Sequence, residues 1–118
     1  MLKVKTFDQV VKEARSQITY LKPRMAKAIY DKADSPIIID VREAEQRKFN
    51  KLKDSIHFPR GLIEWHMPRE YPNPEQVIFT HCNHGARATL SALALQNMGY
   101  TNVYAIKEEI DEIKKFFD

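Results

Sequence analysis

The chain has 118 residues, 43% of them hydrophobic, which suits one domain with one core; its 30% charged residues, mixed in sign, and only 3 Gly argue against a disordered tail or linker. No apolar run approaches the roughly 18 residues that span a bilayer, and Met1-Leu2-Lys3-Val4-Lys5 lacks a signal peptide's apolar stretch, so a cytoplasmic protein with no membrane partner is expected. The net charge of +3 divides into 14 Lys and Arg against 8 Asp and Glu in residues 1–60 and 5 against 8 in residues 61–118, but without interleaved aromatic residues, which argues against a nucleic-acid partner.

In chain order, Thr6-Phe7-Asp8-Gln9 reads as a capping box that starts a helix. Phe7, Val10, Val11, Ala14 and Ile18 then fall on one face, which is expected to be buried. Pro23 opens a second helix, to about Asp31, where its missing N–H costs nothing. After Ser35-Pro36, the β-branched run Ile37-Ile38-Ile39-Asp40-Val41 lacks polar alternation, the pattern of a strand covered on both faces. A helix over Arg42 to Phe49 and a short strand at Ile56-His57-Phe58 follow. Gln76 to His81 and Asn102 to Ile106 repeat the buried-strand pattern. Between and after them lie helical stretches, Ala86 to Met98, apolar nearly all round and closed by Gly99, and Glu108 to Phe117, with acids first and lysines late. Strands alternating with helices imply an α/β domain, a parallel sheet with helices on both faces. A single domain over residues 1–118 is expected, with two leading helices at about 6–31 and a core at about 36–118.

The stretch Thr80-His81-Cys82-Asn83-His84-Gly85-Ala86-Arg87 falls where a buried strand ends and a buried helix begins, the place where open parallel sheets form sites. Cys82 is the only cysteine, which rules out an internal disulfide and any multi-cysteine zinc framework. Loop amides and the helix dipole at such a turn would stabilise a thiolate, the form that attacks. Gly85 permits a turn that a Cβ would obstruct, and Arg87 would add a cation for an oxyanion. The bland alternative is a small buried cysteine with no chemistry.

The run Cys82-Asn83-His84-Gly85-Ala86-Arg87 resembles the active loop of the rhodanese-like sulfurtransferases. Four other segments agree with that family in order: Asp40-Val41-Arg42-Glu43, Ile56 to Glu64, the helix ending Leu95-Gln96-Asn97-Met98-Gly99-Tyr100, and Asn102-Val103-Tyr104. The resemblance implies a five-stranded parallel sheet, with Cys82 attacking a sulfur donor to form a persulfide. The loop of Asn83, His84, Gly85, Ala86 and Arg87 would hold that persulfide until it passes to cyanide, a thiol or a protein. It also implies a small donor such as thiosulfate, or a protein persulfide donor or acceptor, and no cofactor. Related phosphatases place five residues between cysteine and arginine; here four intervene, which suits sulfur better than phosphate. Two segments depart from the family: Lys51 to His57 replaces its Gly-His-Ile-x-Gly-Ala, and Lys107-Glu108-Glu109 stands in place of a Gly-Gly pair after the last strand.

Asp40, Arg42 and Arg60 are secondary site candidates. Asp40 and Arg42 read either as a catalytic acid and an anion clamp or as a structural pair; Arg60 and Glu64 lie in the segment resembling the family's loop near the mouth. His84 reads either as an exposed loop residue or as a group that raises the local potential when protonated. No metal site is expected, because His81 and Cys82, adjacent on a strand end, should point to opposite faces. Trp65, His66 and Met67 should pack on the core, with the site lining as the alternative. A monomer or weak homodimer is expected. Two other readings stay open: a non-catalytic binding module, and a dedicated sulfur carrier poor with cyanide.

Overall fold

The computed structural model describes residues 3–118. Thr6 caps the first helix, α1 (Phe7–Arg15): its hydroxyl accepts from the Gln9 amide at 3.1 Å while the Gln9 side chain accepts from the Thr6 amide at 2.8 Å. Val11 and Ala14 are buried as the periodicity requires, but Phe7 is 60% and Val10 40% exposed. The inward face of α1 is therefore narrower than the sequence pattern implies.

Between the two leading helices the chain forms an unanticipated strand, β1 (Thr19–Leu21), before α2 (Pro23–Lys32). Three half-exposed residues carry too little pattern to announce a strand; β1 exists because β5 (Asn102–Ile106) offers it a free edge, pairing Tyr20 with Ala105. The remaining strands, β2 (Ile37–Asp40), β3 (Ile56–His57) and β4 (Val77–His81), complete a five-stranded, all-parallel sheet in the order β1-β5-β4-β2-β3. β4 is central, and all but its first residue, Val77, are buried, which fits its lack of polar alternation.

Alternation along β4 sorts its side chains onto two cores. Ile78 joins a cluster with Ala88, Ala92 and Leu95 of α5 (Ala86–Met98), and the Thr80 hydroxyl donates to the Ala88 carbonyl of the same helix at 2.8 Å. Phe79 faces the other way, stacked on Tyr104 and edge-on to Tyr30 and Phe117, within the core under α2 and α6 (Ile110–Phe117). His81 follows Phe79 to that side and Cys82 returns to the α5 side, so the two cannot share one ion.

The two departures from the family pattern have distinct structural solutions. In the first, the Ser55 amide and hydroxyl both donate to the Leu52 carbonyl, at 3.2 and 2.8 Å, and Arg47 of α3 (Ala44–Phe49) clamps Ser55 from outside. Leu52 is thereby driven into the core without a glycine turn. In the second, Glu108 adopts a φ of +88°, so the left-handed backbone a glycine would supply is held by a glutamate. A short helix, α4 (Ile63–Glu70), contains Pro68, whose ring obscured it in the sequence. Met67 of α4 is fully buried, His66 stacks on Phe58 at 4.6 Å, and Trp65 is 57% exposed. No helix among the described residues is long and apolar enough to cross a membrane.

Candidate active site

The chain leaves the centre of the sheet at His81 and turns into α5 through Cys82, Asn83, His84 and Gly85. Gly85 precedes the first residue of α5 with φ at +80°, which turns successive N–H groups inward. Two of them aim at Cys82: Sγ accepts from the Gly85 amide at 3.1 Å and the Ala88 amide at 3.4 Å. Cys82 is 3% exposed, so its sulfur sits at the floor of the loop with the helix dipole behind it. Such donors offer hydrogen bonds to negative sulfur, whether on a thiolate or on a persulfide.

A cavity of about 350 Å³ opens over this sulfur, lined by the loop together with Arg42, Gln46, Arg87 and Phe7. Arg87 reaches it from the first turn of α5, half exposed, with Glu43 of the α3 cap 3.8 Å away. His84 is exposed and its ring makes no hydrogen bond among the described residues; Asn83 accepts from Arg42 at 3.5 Å. The structure thus brings together Cys82, all five loop residues except the buried Gly85 as cavity lining, and Arg42.

Asp40 and Arg42 form a buried ion pair. Arg42 donates from Nε and Nη2 to Asp40 at 2.9 and 2.8 Å, its backbone amide binds the same carboxylate at 3.0 Å, and Arg47 adds a contact at 3.3 Å. Asp40 is wholly buried; burial by itself would raise its pKa, but the Arg42 hydrogen bonds and charge together with His81 outweigh it and hold the carboxyl below its ordinary value. Arg42 also donates to the Asn50 carbonyl at 2.6 Å, so this network ties the ends of β2 and α3 to the Cys82 loop. Arg60 does not line the cavity. It pairs with Glu64 at 2.7 Å and lines a separate depression with Leu90 and Leu93 of α5.

Two residues that touch the site were not singled out for it in the sequence. Phe7 reads as a core residue by its spacing, yet lines the cavity. Tyr20 of β1 lies directly against Gly85: a Cβ there would overlap the Tyr20 hydroxyl. Arg15 stacks over the Tyr20 ring, 4.2 Å from its centroid. No local signal marks Phe7, since only the packing angle of α1 decides which residues overhang α5. Tyr20 carried a weak one, as the lone aromatic in a short stretch between two helices.

Comparison with known proteins follows the same geometry. The sequence profile of the rhodanese-like domain matches residues 22–116, most of the chain. The chain belongs to the rhodanese-like domain family. Among solved structures, this rhodanese-like chain is 27% identical to the polysulfide-sulfur transferase of Wolinella succinogenes, with a TM-score of 0.75 over 90% of this chain and 80% of that one. A protein of unknown function from Rhodopseudomonas palustris, a possible tyrosine phosphatase, superposes at a TM-score of 0.79 over 98% of this chain and 93% of its own, at 23% identity, a likeness of fold. The tRNA uridine(34) hydroxylase of Ehrlichia canis is 26% identical over 104 residues, 81% of this chain. The rhodanese-like chain spans 37% of that curated relative's length.

Proposed function

We propose that this chain is a sulfurtransferase that carries sulfane sulfur as a persulfide on Cys82. The observation that carries the reading is the pair of backbone amides converging on a buried Sγ at the floor of an open cavity. A cysteine kept for packing alone would need neither. With thiosulfate as donor, the Cys82 thiolate attacks the outer sulfur, the bond between the two sulfurs breaks, and sulfite leaves with its electron pair. The persulfide so formed keeps its inner sulfur, Sγ, against the Gly85 and Ala88 amides. A persulfide donor loads the same atom with a thiolate as leaving group. Arg87, half exposed at the mouth, is suited to meet an anionic donor. The likeness to a polysulfide-sulfur transferase supports sulfur transfer in general rather than thiosulfate in particular. A reducing cytoplasmic setting, which keeps a lone thiol free, and a monomeric or weakly dimeric state belong to the same reading.

The test is the intact mass of the reduced protein before and after thiosulfate or a low-molecular-weight persulfide, then after cyanide. A gain of about 32 mass units that cyanide removes is expected, one sulfur atom on the nucleophile, and Cys82→Ser should show none of it. A folded, reduced protein that takes no sulfur from any donor would leave the binding-module reading in its place.

A further inference from the structure

The family match begins at residue 22, yet two side chains from the preceding segment are built into the site. Phe7 lines the Cys82 cavity while remaining 60% exposed, so its ring is not spent on the core. Tyr20 presses on Gly85, the residue whose amide holds the sulfur, which fixes the leading segment against the loop. Meanwhile both arginines that line the cavity are matched by acids, Arg42 by Asp40 at 2.8 Å and Arg87 by Glu43 at 3.8 Å. An adjoining depression shares Asn83 and His84 with this one and adds Tyr20, Lys107 and the three acids Glu108, Glu109 and Glu112. These acids leave an uncharged acceptor at no disadvantage, and an aromatic wall rewards an apolar group.

We propose that Phe7 determines acceptor specificity, and that the acceptor is a thiol carrying an apolar group close to its sulfur. This inference rests on the sulfur-transfer reading above. The acceptor thiolate attacks the terminal sulfur of the Cys82 persulfide, the sulfur–sulfur bond to Cys82 breaks, and Cys82 departs as the thiolate. The product is the acceptor's persulfide, with no net oxidation or reduction. In this step the apolar group lies against the Phe7 ring while the acceptor sulfur reaches the loop floor. A cavity of about 350 Å³ accommodates a small molecule or one side chain of a peptide, so the same chemistry has two sources.

The experiment loads Cys82 with sulfur, confirmed by intact mass, and measures its unloading rate by benzyl mercaptan against 2-mercaptoethanol, and by Gly-Phe-Cys-Gly against Gly-Ser-Cys-Gly. At least one apolar member is expected to be faster by about tenfold, the scale on which a pocket discriminates a small apolar group. Preference confined to benzyl mercaptan identifies a small-molecule acceptor; preference within the peptide pair identifies a peptide thiol. Phe7→Ala should bring the preferred ratio close to one, and Phe7→Leu, which keeps an apolar side chain, should retain most of it. Equal rates in the loaded wild-type protein, or a ratio that Phe7→Ala leaves in place, would overturn the inference alone. Failure of Cys82 to take up sulfur would overturn the sulfur-transfer reading as well.

Discussion

At Gly85 the backbone and its surroundings both exclude a side chain. Its φ of +80° disfavours any residue with a Cβ, and the Tyr20 hydroxyl occupies the space that Cβ would need. Gly85→Ala should therefore cost about 1–3 kcal/mol in urea unfolding. Adding Tyr20→Phe should recover only part of this, because the ring carbons at 3.1 and 3.2 Å remain. Arg87 differs in kind, being half exposed and loosely paired. Arg87→Ala should leave the fold intact and weaken loading by thiosulfate while sparing loading by a persulfide donor, which carries no oxyanion. Equal losses with both donors would assign Arg87 to holding the loop rather than meeting the anion.

Connections between elements hold the second kind of information. The β5–α6 turn keeps a left-handed residue, but Glu108 provides it at φ +88° where a glycine would do so without strain. Glu108→Gly is expected to raise stability by about 1 kcal/mol, seen as a higher urea midpoint at an unchanged slope. A lower midpoint would mean that the side chain makes a compensating contact. The α1 helix shows how much an element's register on its neighbour matters: its capping box sets where it begins, while its packing on α5 sets which apolar residues stay uncovered. Val11 and Ala14 go inward, and Phe7 is left at the mouth of the cavity.

Across the whole molecule, the buried polar groups at the ends of β2 and β4 couple stability to pH. His81 lies opposite Asp40 in the strand register, is fully buried, and finds no hydrogen-bond partner for either ring nitrogen among the described residues. Burial pushes its pKa down to about 4; Asp40 pulls the other way, while Arg42 and Arg47 add to the lowering and Asp118 opposes it. The unfolded chain takes up this proton near pH 6.5 and the native state does not. Stability should therefore fall as pH drops from about 6.5 to about 4, by about 3 kcal/mol in all. Asp40, with its pKa held below the ordinary value, removes more stability only at still lower pH. His81→Phe should flatten the upper part of this profile, from pH 6.5 to 4, and leave the lower part. An unaltered slope between pH 6.5 and 4 would show that other groups carry it.

Much of the fold was legible because its signals are local. The β-branched run Ile37-Ile38-Ile39 marked β2, the lack of polar alternation marked β4 and β5, the Thr6–Gln9 pair marked the start of α1, and the Cys82 to Arg87 spacing marked the loop as a candidate site. Each depends on residues a few positions apart, whose conformations are dictated by sterics, capping and hydration along one segment. What tertiary structure alone decided are contacts between segments distant in sequence. β1 forms because β5 lends it an edge, Tyr20 meets Gly85 because of that pairing, and Arg42 is held in place by Asp40 and Asn50. Phe7 lines the Cys82 cavity, and Arg60 a different depression, through the angles at which their segments pack on α5. Packing energy is shared among many residues from several elements, so no short stretch of sequence contains the information that sets those angles.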